Sequence, residues 1–101
     1  MDMNKQIEKL DQMFKKLESL DPKNELGAAR IKLLRSTLLF IKAISESDMD
    51  HKLYIPVLIG FMETYTSLVS IAYKEDNISK TEMDLNMEML DIVNINQVGE
   101  A

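Results

Sequence analysis

The chain has 101 residues, 46% of them hydrophobic and 29% charged, which is the size and composition of one folded domain and not of a disordered segment. Three glycines and two prolines are too few turn formers for a many-stranded sandwich or barrel, and the absence of cysteine excludes disulfides, thiolate nucleophiles and cysteine-based zinc sites. The net charge is −5, and residues 51–101 hold all of it: they carry three basic side chains against eight acids, whereas residues 1–50 carry nine of each. Such a balance offers no basic face for duplex nucleic acid and mainly keeps a protein soluble.

The pattern predicts four helices in one compact all-α, bundle-like domain spanning 1–101. The first runs over about 3–20, where Met3, Ile7, Leu10, Phe14 and Leu17 recur at helical spacing and Met13 and Leu20 widen the stripe. Asp21-Pro22 then reads as an N-cap followed by a first helical residue, so a second helix is expected over 22–45 after a very short connection. That helix carries two adjacent stripes, Ile31, Leu34, Leu38 and Ile41 beside Leu33, Thr37, Phe40 and Ile44, as a central helix with several neighbours would. Gly27-Ala28-Ala29 near its start would let another backbone come close.

Ser45 to Asp50 is a polar break containing two Ser-x-x-Asp capping patterns. A third helix is expected over 49–74, either kinked near Pro56 or starting just before it, because proline removes one helical hydrogen bond and clashes with the preceding turn. Ile55, Leu58, Met62, Tyr65, Val69 and Ala72 form one stripe, and Tyr54, Val57, Phe61, Leu68 and Ile71 form a second. Leu53 to Ala72 contains one charge, Glu63, and is long enough to span a bilayer. An acid near the bilayer centre costs roughly 2.5–3.5 kcal/mol on insertion scales, so a buried helix and no membrane contact are the expectation. Ser79-Lys80-Thr81-Glu82 matches a capping box and opens a fourth helix over 80–93, with Leu85, Met89 and Ile92 on its stripe and 94–101 as a frayed tail. Met83, Leu85, Met87 and Met89 also alternate as a strand would, but methionine, leucine and glutamate favour helix.

Little in the chain points to chemistry. His51, the single histidine, lies beside Asp48 and Asp50 on one short turn, which cannot converge on one metal ion without distant ligands, and a solvated histidine is expected. Thr64, Tyr65, Thr66 and Ser67 lack a base and a nucleophile elbow, so their hydroxyls are expected to bond back to the preceding turn. Glu8 with Asp11, and Glu88 with Asp91, place paired acids on a helix face at a spacing that can hold Mg²⁺ in a four-helix scaffold. Glu75-Asp76 followed by Glu88-x-x-Asp91 loosely resembles the all-α nucleotide pyrophosphohydrolases, whose signature is a Glu-Glu pair followed by Glu-x-x-Asp on a later helix. That resemblance implies Glu88 and Asp91 as magnesium ligands; solvated surface acids are the plainer expectation, with no cofactor.

Lys23, Arg30, Lys32, Arg35 and Lys42 face only Glu25 across the second helix, while residues 75–91 hold six acids and one lysine. The two segments are expected to attract each other; alternatively Arg30 and Arg35, with Tyr54 or Tyr65, would bind a small anionic or nucleotide ligand. Eight methionines suit either a core or an adaptable partner groove. The excess of apolar helix surface points to a non-enzymatic interaction module, such as a small cytoplasmic regulator, adaptor or inhibitor of the viral-antagonist or immunity-protein kind. The start Met1 to Lys5 lacks a secretory apolar stretch, in keeping with a cytoplasmic location. The expected partners are another protein and the chain itself, as a homodimer or higher oligomer through Tyr54, Val57, Phe61, Leu68, Ile71, Met83 and Met87.

Overall fold

The computed structural model describes the backbone of residues 3–47 and 51–100 and the side chains of 7–47 and 52–92. Four helices account for nearly all of it: α1 (Met3–Glu18), α2 (Glu25–Glu46), α3 (His51–Lys74) and α4 (Lys80–Glu100). No strand occurs among the described residues, so Met83 to Met89 are helical and their alternation is incidental. Short connections turn each helix back on the last, and α1 packs on α2, α2 on α3, α3 on α4 and α4 on α1. The longest extent is 38 Å, close to the ~36 Å of a 24-residue helix at about 1.5 Å per residue.

One core runs through the bundle. It comprises Leu10, Met13 and Leu17 of α1, Leu34, Leu38, Ile41 and Ile44 of α2, Leu58, Met62, Tyr65 and Val69 of α3, and Leu85, Met89 and Ile92 of α4. Each helix thus buries an expected stripe, with one shift in α1, where Met13 is fully buried and Phe14 only partly. In α2 the buried line takes members of both stripes, including Thr37, whose hydroxyl donates to the Leu33 carbonyl at 2.8 Å.

Several boundaries differ from the sequence expectation. The first helix ends at Glu18, where Ser19 and Leu20 tighten into i→i−3 bonds and the Ser19 hydroxyl donates to the Lys16 carbonyl. The second begins at Glu25, not Pro22, and its N-cap is Asn24, not Asp21. Asn24 has extended backbone, and its Oδ1 accepts from the Gly27 N–H at 2.7 Å, which satisfies a donor that the helix start leaves free. Gly27 is buried, but a Cβ there would meet Asn24, Pro22 and Arg30 rather than a neighbouring helix, so its small size serves the incoming loop.

Helix α3 runs unbroken through Pro56, which excludes a start at that residue. The expected residues 49 and 50, and the capping acids Asp48 and Asp50, lie outside the described residues, as does the side chain of His51. At its other end α3 closes in a Schellman motif: Asn77 N–H donates to the Ala72 carbonyl and Asp76 N–H to the Tyr73 carbonyl. Asp76 occupies the left-handed position with φ 53°, a place usually held by glycine. Helix α4 extends to Glu100, beyond the expected end at 93, because no glycine or proline interrupts the chain before Gly99.

Candidate functional site

Where the α1–α2 and α3–α4 connections meet, the bundle end encloses polar groups that the helix stripes alone do not announce. Arg30 on α2 and Glu82 on α4 are 7% and 2% exposed, and both sit in line with apolar core positions of their own helices. Arg30 Nε donates to Glu82 Oε2 at 2.6 Å and its Nη2 donates to Oε1 at 3.0 Å, a two-pronged pairing. Tyr65 on α3, fully buried, donates its hydroxyl to the same Oε2 at 2.8 Å. One carboxylate therefore ties three helices together, and among the described residues no buried side-chain nitrogen or oxygen lacks a partner. The hydrogen bonds it donates to Glu82 hold the Arg30 guanidinium above its ordinary pKa. Burial first, and the neighbouring carboxylate second, push the Tyr65 phenol well above its usual range.

Local sequence explains how these groups arrive. The Ser79 hydroxyl accepts from the Glu82 N–H at 3.2 Å, so half of the predicted capping box forms. The reciprocal half does not, since the Glu82 carboxylate turns inward to Arg30 and Tyr65 instead. One turn further along α4, Asn86 donates to the Thr66 hydroxyl oxygen at 3.0 Å and adds a second polar link to α3.

Beside the Arg30–Glu82 pair lies a cavity of about 490 Å³. Lys23 and Arg30 line it, but so do Asp21, Asp76 and Glu82, with Asn24 and Ser79 at the starts of α2 and α4. Its charge is mixed and leans acidic. Of the residues expected to bind an anion, the structure joins Arg30 and Tyr65, yet through a carboxylate that already neutralises the arginine. Arg35 is exposed elsewhere on α2, and Tyr54 stacks against Phe40 with ring centroids 6.3 Å apart.

The acids of the magnesium alternative do not gather. Glu88 pairs with Lys16 of α1 at 2.7 Å, and this bond raises the lysine pKa, while Asp91 is exposed. Glu75 and Asp76 belong to the C-terminal turn of α3 and the loop after it, and no group of three or more potential metal ligands occurs among the described residues. Thr64 and Ser67 donate to the Gly60 and Glu63 carbonyls at 3.0 and 2.9 Å, as expected of hydroxyls bonded back to their own helix.

The larger exposed feature is apolar. The first stripe of α3 is interior, whereas along the second Val57 is 50%, Phe61 41% and Ile71 52% exposed, and Leu53 extends it at 69%. Phe61 leans edge-on against Phe40 of α2, centroids 5.9 Å apart, so the exposed stripe borders α2. Tyr54 and Leu68 on the same side are half-buried. By length and composition Lys52–Lys74 could cross a membrane, and only 28% of its apolar window is buried, so α3 is less enclosed than the expected buried helix. Met83 and Met87 stand apart from this face: they lie on α4, which meets the Thr66 side of α3, with Met83 partly packed on the core and Met87 59% exposed.

Sequence reasoning missed Glu82 as the partner of Arg30. The signal was present as spacing: Glu82 continues the Leu85, Met89, Ile92 line and Arg30 the Leu34, Leu38, Ile41 line, so two opposite charges occupied core positions at the same end of the bundle. No family model, curated protein or solved structure matches this chain.

Proposed function

We propose that this chain is a non-enzymatic protein-interaction module that acts through the apolar face formed by α3 where it borders α2. The observation that carries the reading is the row Leu53, Val57, Phe61 and Ile71, each about half exposed, on a helix whose only charge between Lys52 and Lys74 is Glu63. At about 100° per residue Glu63 lies about 160° around the helix from Phe61 and about 80° from Leu53 and Ile71, so it borders the row without belonging to it. Contiguous exposed apolar patches on soluble domains mark interaction surfaces. The polar end supports the same reading from the other side, because Arg30, Glu82 and Tyr65 are bonded to one another within the fold.

Residue-resolved hydroxyl-radical footprinting tests the proposal. Phe61, Val57, Leu53 and Ile71 should be protected in the native cellular extract relative to the dilute purified chain. Labelling at full solvent exposure in both states would refute it. A small-ligand reading of the loop-end cavity has only its volume in its favour, since Asp21, Asp76 and Glu82 oppose an anion there.

A further inference from the structure

We infer that α4 is a releasable helix: it opens from α1–α3 as one unit, with the Arg30–Glu82–Tyr65 cluster as its latch, while the other three helices stay packed. Polar links between helices converge on it. Lys16 of α1 bonds to Glu88, Arg30 of α2 to Glu82, and Tyr65 and Thr66 of α3 to Glu82 and Asn86, so each of the other helices sends at least one such bond to α4. Its buried residues, among those described, are Glu82, Leu85, Asn86, Met89 and Ile92, two of the five polar. Those of α1 are Leu10, Met13 and Leu17, all apolar. Helix α2 meets α3 through rings, with the Phe40 centroid 5.9 Å from that of Phe61 and 6.3 Å from that of Tyr54. The α3–α4 seam is also the narrowest of the four and the α2–α3 seam the broadest.

Water treats the two kinds of seam differently. Separating apolar side chains exposes surface for which water returns nothing. Separating α4 rehydrates a guanidinium, a carboxylate, a phenol and an amide, and the hydration that burial removed is regained. Water need not cross the core to reach the charged pair. The cavity of about 490 Å³ lies against Arg30 and Glu82 and against Ser79 and Thr81 at the start of α4, and a polar cavity of that size admits water. The first turn of α4 is therefore both where the helix is pinned and where water enters.

The latch is all-or-none, because one carboxylate serves both partners: Oε2 of Glu82 accepts from Arg30 Nε and from the Tyr65 hydroxyl together. Release bares the flanks of α1 and α3 against which α4 lies, and frees the Arg30 guanidinium and the Tyr65 hydroxyl at one end. The chain thus holds two arrangements, docked and open, and the open one keeps the apolar seams of α1–α3.

Native-state hydrogen exchange of the purified chain, read by NMR at rising sub-denaturing urea, tests release. The amides of 83–92 should share one opening, with protection about tenfold or more below that of 34–41 and 58–69. Its urea slope should lie above zero and below that of global unfolding. Glu82→Gln should lower the protection of 83–92 by about tenfold or more again, since Arg30 loses its counter-charge in the docked state alone. Phe40→Ala should lower protection in α2 and α3 by about tenfold or more and leave that of 83–92 unchanged, because it weakens the docked and open states alike. Protection of 83–92 equal to that of α2 and α3 in the wild type, or falling with theirs in Phe40→Ala, overturns release. Exchange that merely rises by degrees toward residue 100, without a urea slope, is fraying and overturns it too. Unchanged protection of 83–92 in Glu82→Gln overturns the latch.

Discussion

Removing the Glu82 carboxylate is the sharpest perturbation of this fold. In Glu82→Ala the Arg30 guanidinium, 7% exposed, keeps its charge and loses both of its bonds, and the Tyr65 hydroxyl, fully buried, loses its acceptor. Breaking a buried pair by deleting one partner costs about 3–5 kcal/mol, and an orphaned buried hydroxyl adds roughly 1 kcal/mol or more. Against a total stability of roughly 5–15 kcal/mol for a small domain, the loss is a large share. Urea unfolding followed by far-UV circular dichroism measures it, with Glu88→Ala as the control, since the Lys16–Glu88 pair is exposed to solvent and should leave stability unchanged. The combined variant Arg30→Met, Glu82→Leu, Tyr65→Phe removes both charges and the hydroxyl together, and should recover wild-type stability or exceed it by up to ~4 kcal/mol. If Glu82→Ala cost no more than Glu88→Ala, the pair would not be desolvated and the reasoning would fail.

Tyr65 retains its proton in the fold well above the unfolded value of 10.0, so its contribution is complete below that pH and is lost as pH rises beyond it. Above pH about 10 the wild type should lose stability more steeply than Tyr65→Phe, by up to ~1.4 kcal/mol per pH unit, with Tyr65 phenolate absorbance appearing only as helical dichroism disappears. Asn24→Ala removes the cap that Gly27 N–H donates to and should lower stability by about 0.5–2 kcal/mol in urea unfolding. Asp76→Gly relieves the left-handed backbone at the end of α3 and should raise the thermal midpoint, equivalent to about 0.5–1 kcal/mol; a lower midpoint would mean that the carboxylate itself holds the turn.

Periodicity made the interior legible and charge pairing remained hidden. Leu85, Met89 and Ile92, or Leu58, Met62, Tyr65 and Val69, declare their faces by spacing alone, because burial of an apolar stripe is a property of one helix. The start of α2 was misplaced because Asp21-Pro22 and Asn24 are both competent caps, and what decides between them is the fold of the loop over Gly27, a tertiary fact. Glu82 was read by its nearest neighbours as half of a capping box, whereas its carboxylate answers to residues 17 and 52 positions away. The exposed row of α3 was visible as a second stripe; that Leu53 extends it and that Phe61 leans on Phe40 required the three-dimensional surroundings.

The polar end and the apolar face are linked through the helices they share. A core built on leucine and methionine is forgiving of small slides, because methionine in particular repacks readily, and Met13, Met62 and Met89 all lie in it. The Arg30–Glu82–Tyr65 cluster is not forgiving: turning α4 by one residue, about 100°, would carry the carboxylate away from both partners. Because Arg30 is on α2 and Tyr65 on α3, that carboxylate also fixes how these two helices are aligned. The same alignment sets Phe40 between Tyr54 and Phe61 and so shapes the surface on which Val57 and Ile71 stand exposed. A chain that lost the cluster but kept its stability, as the all-apolar triple variant should, would therefore lose the shape of that face before it lost its helices.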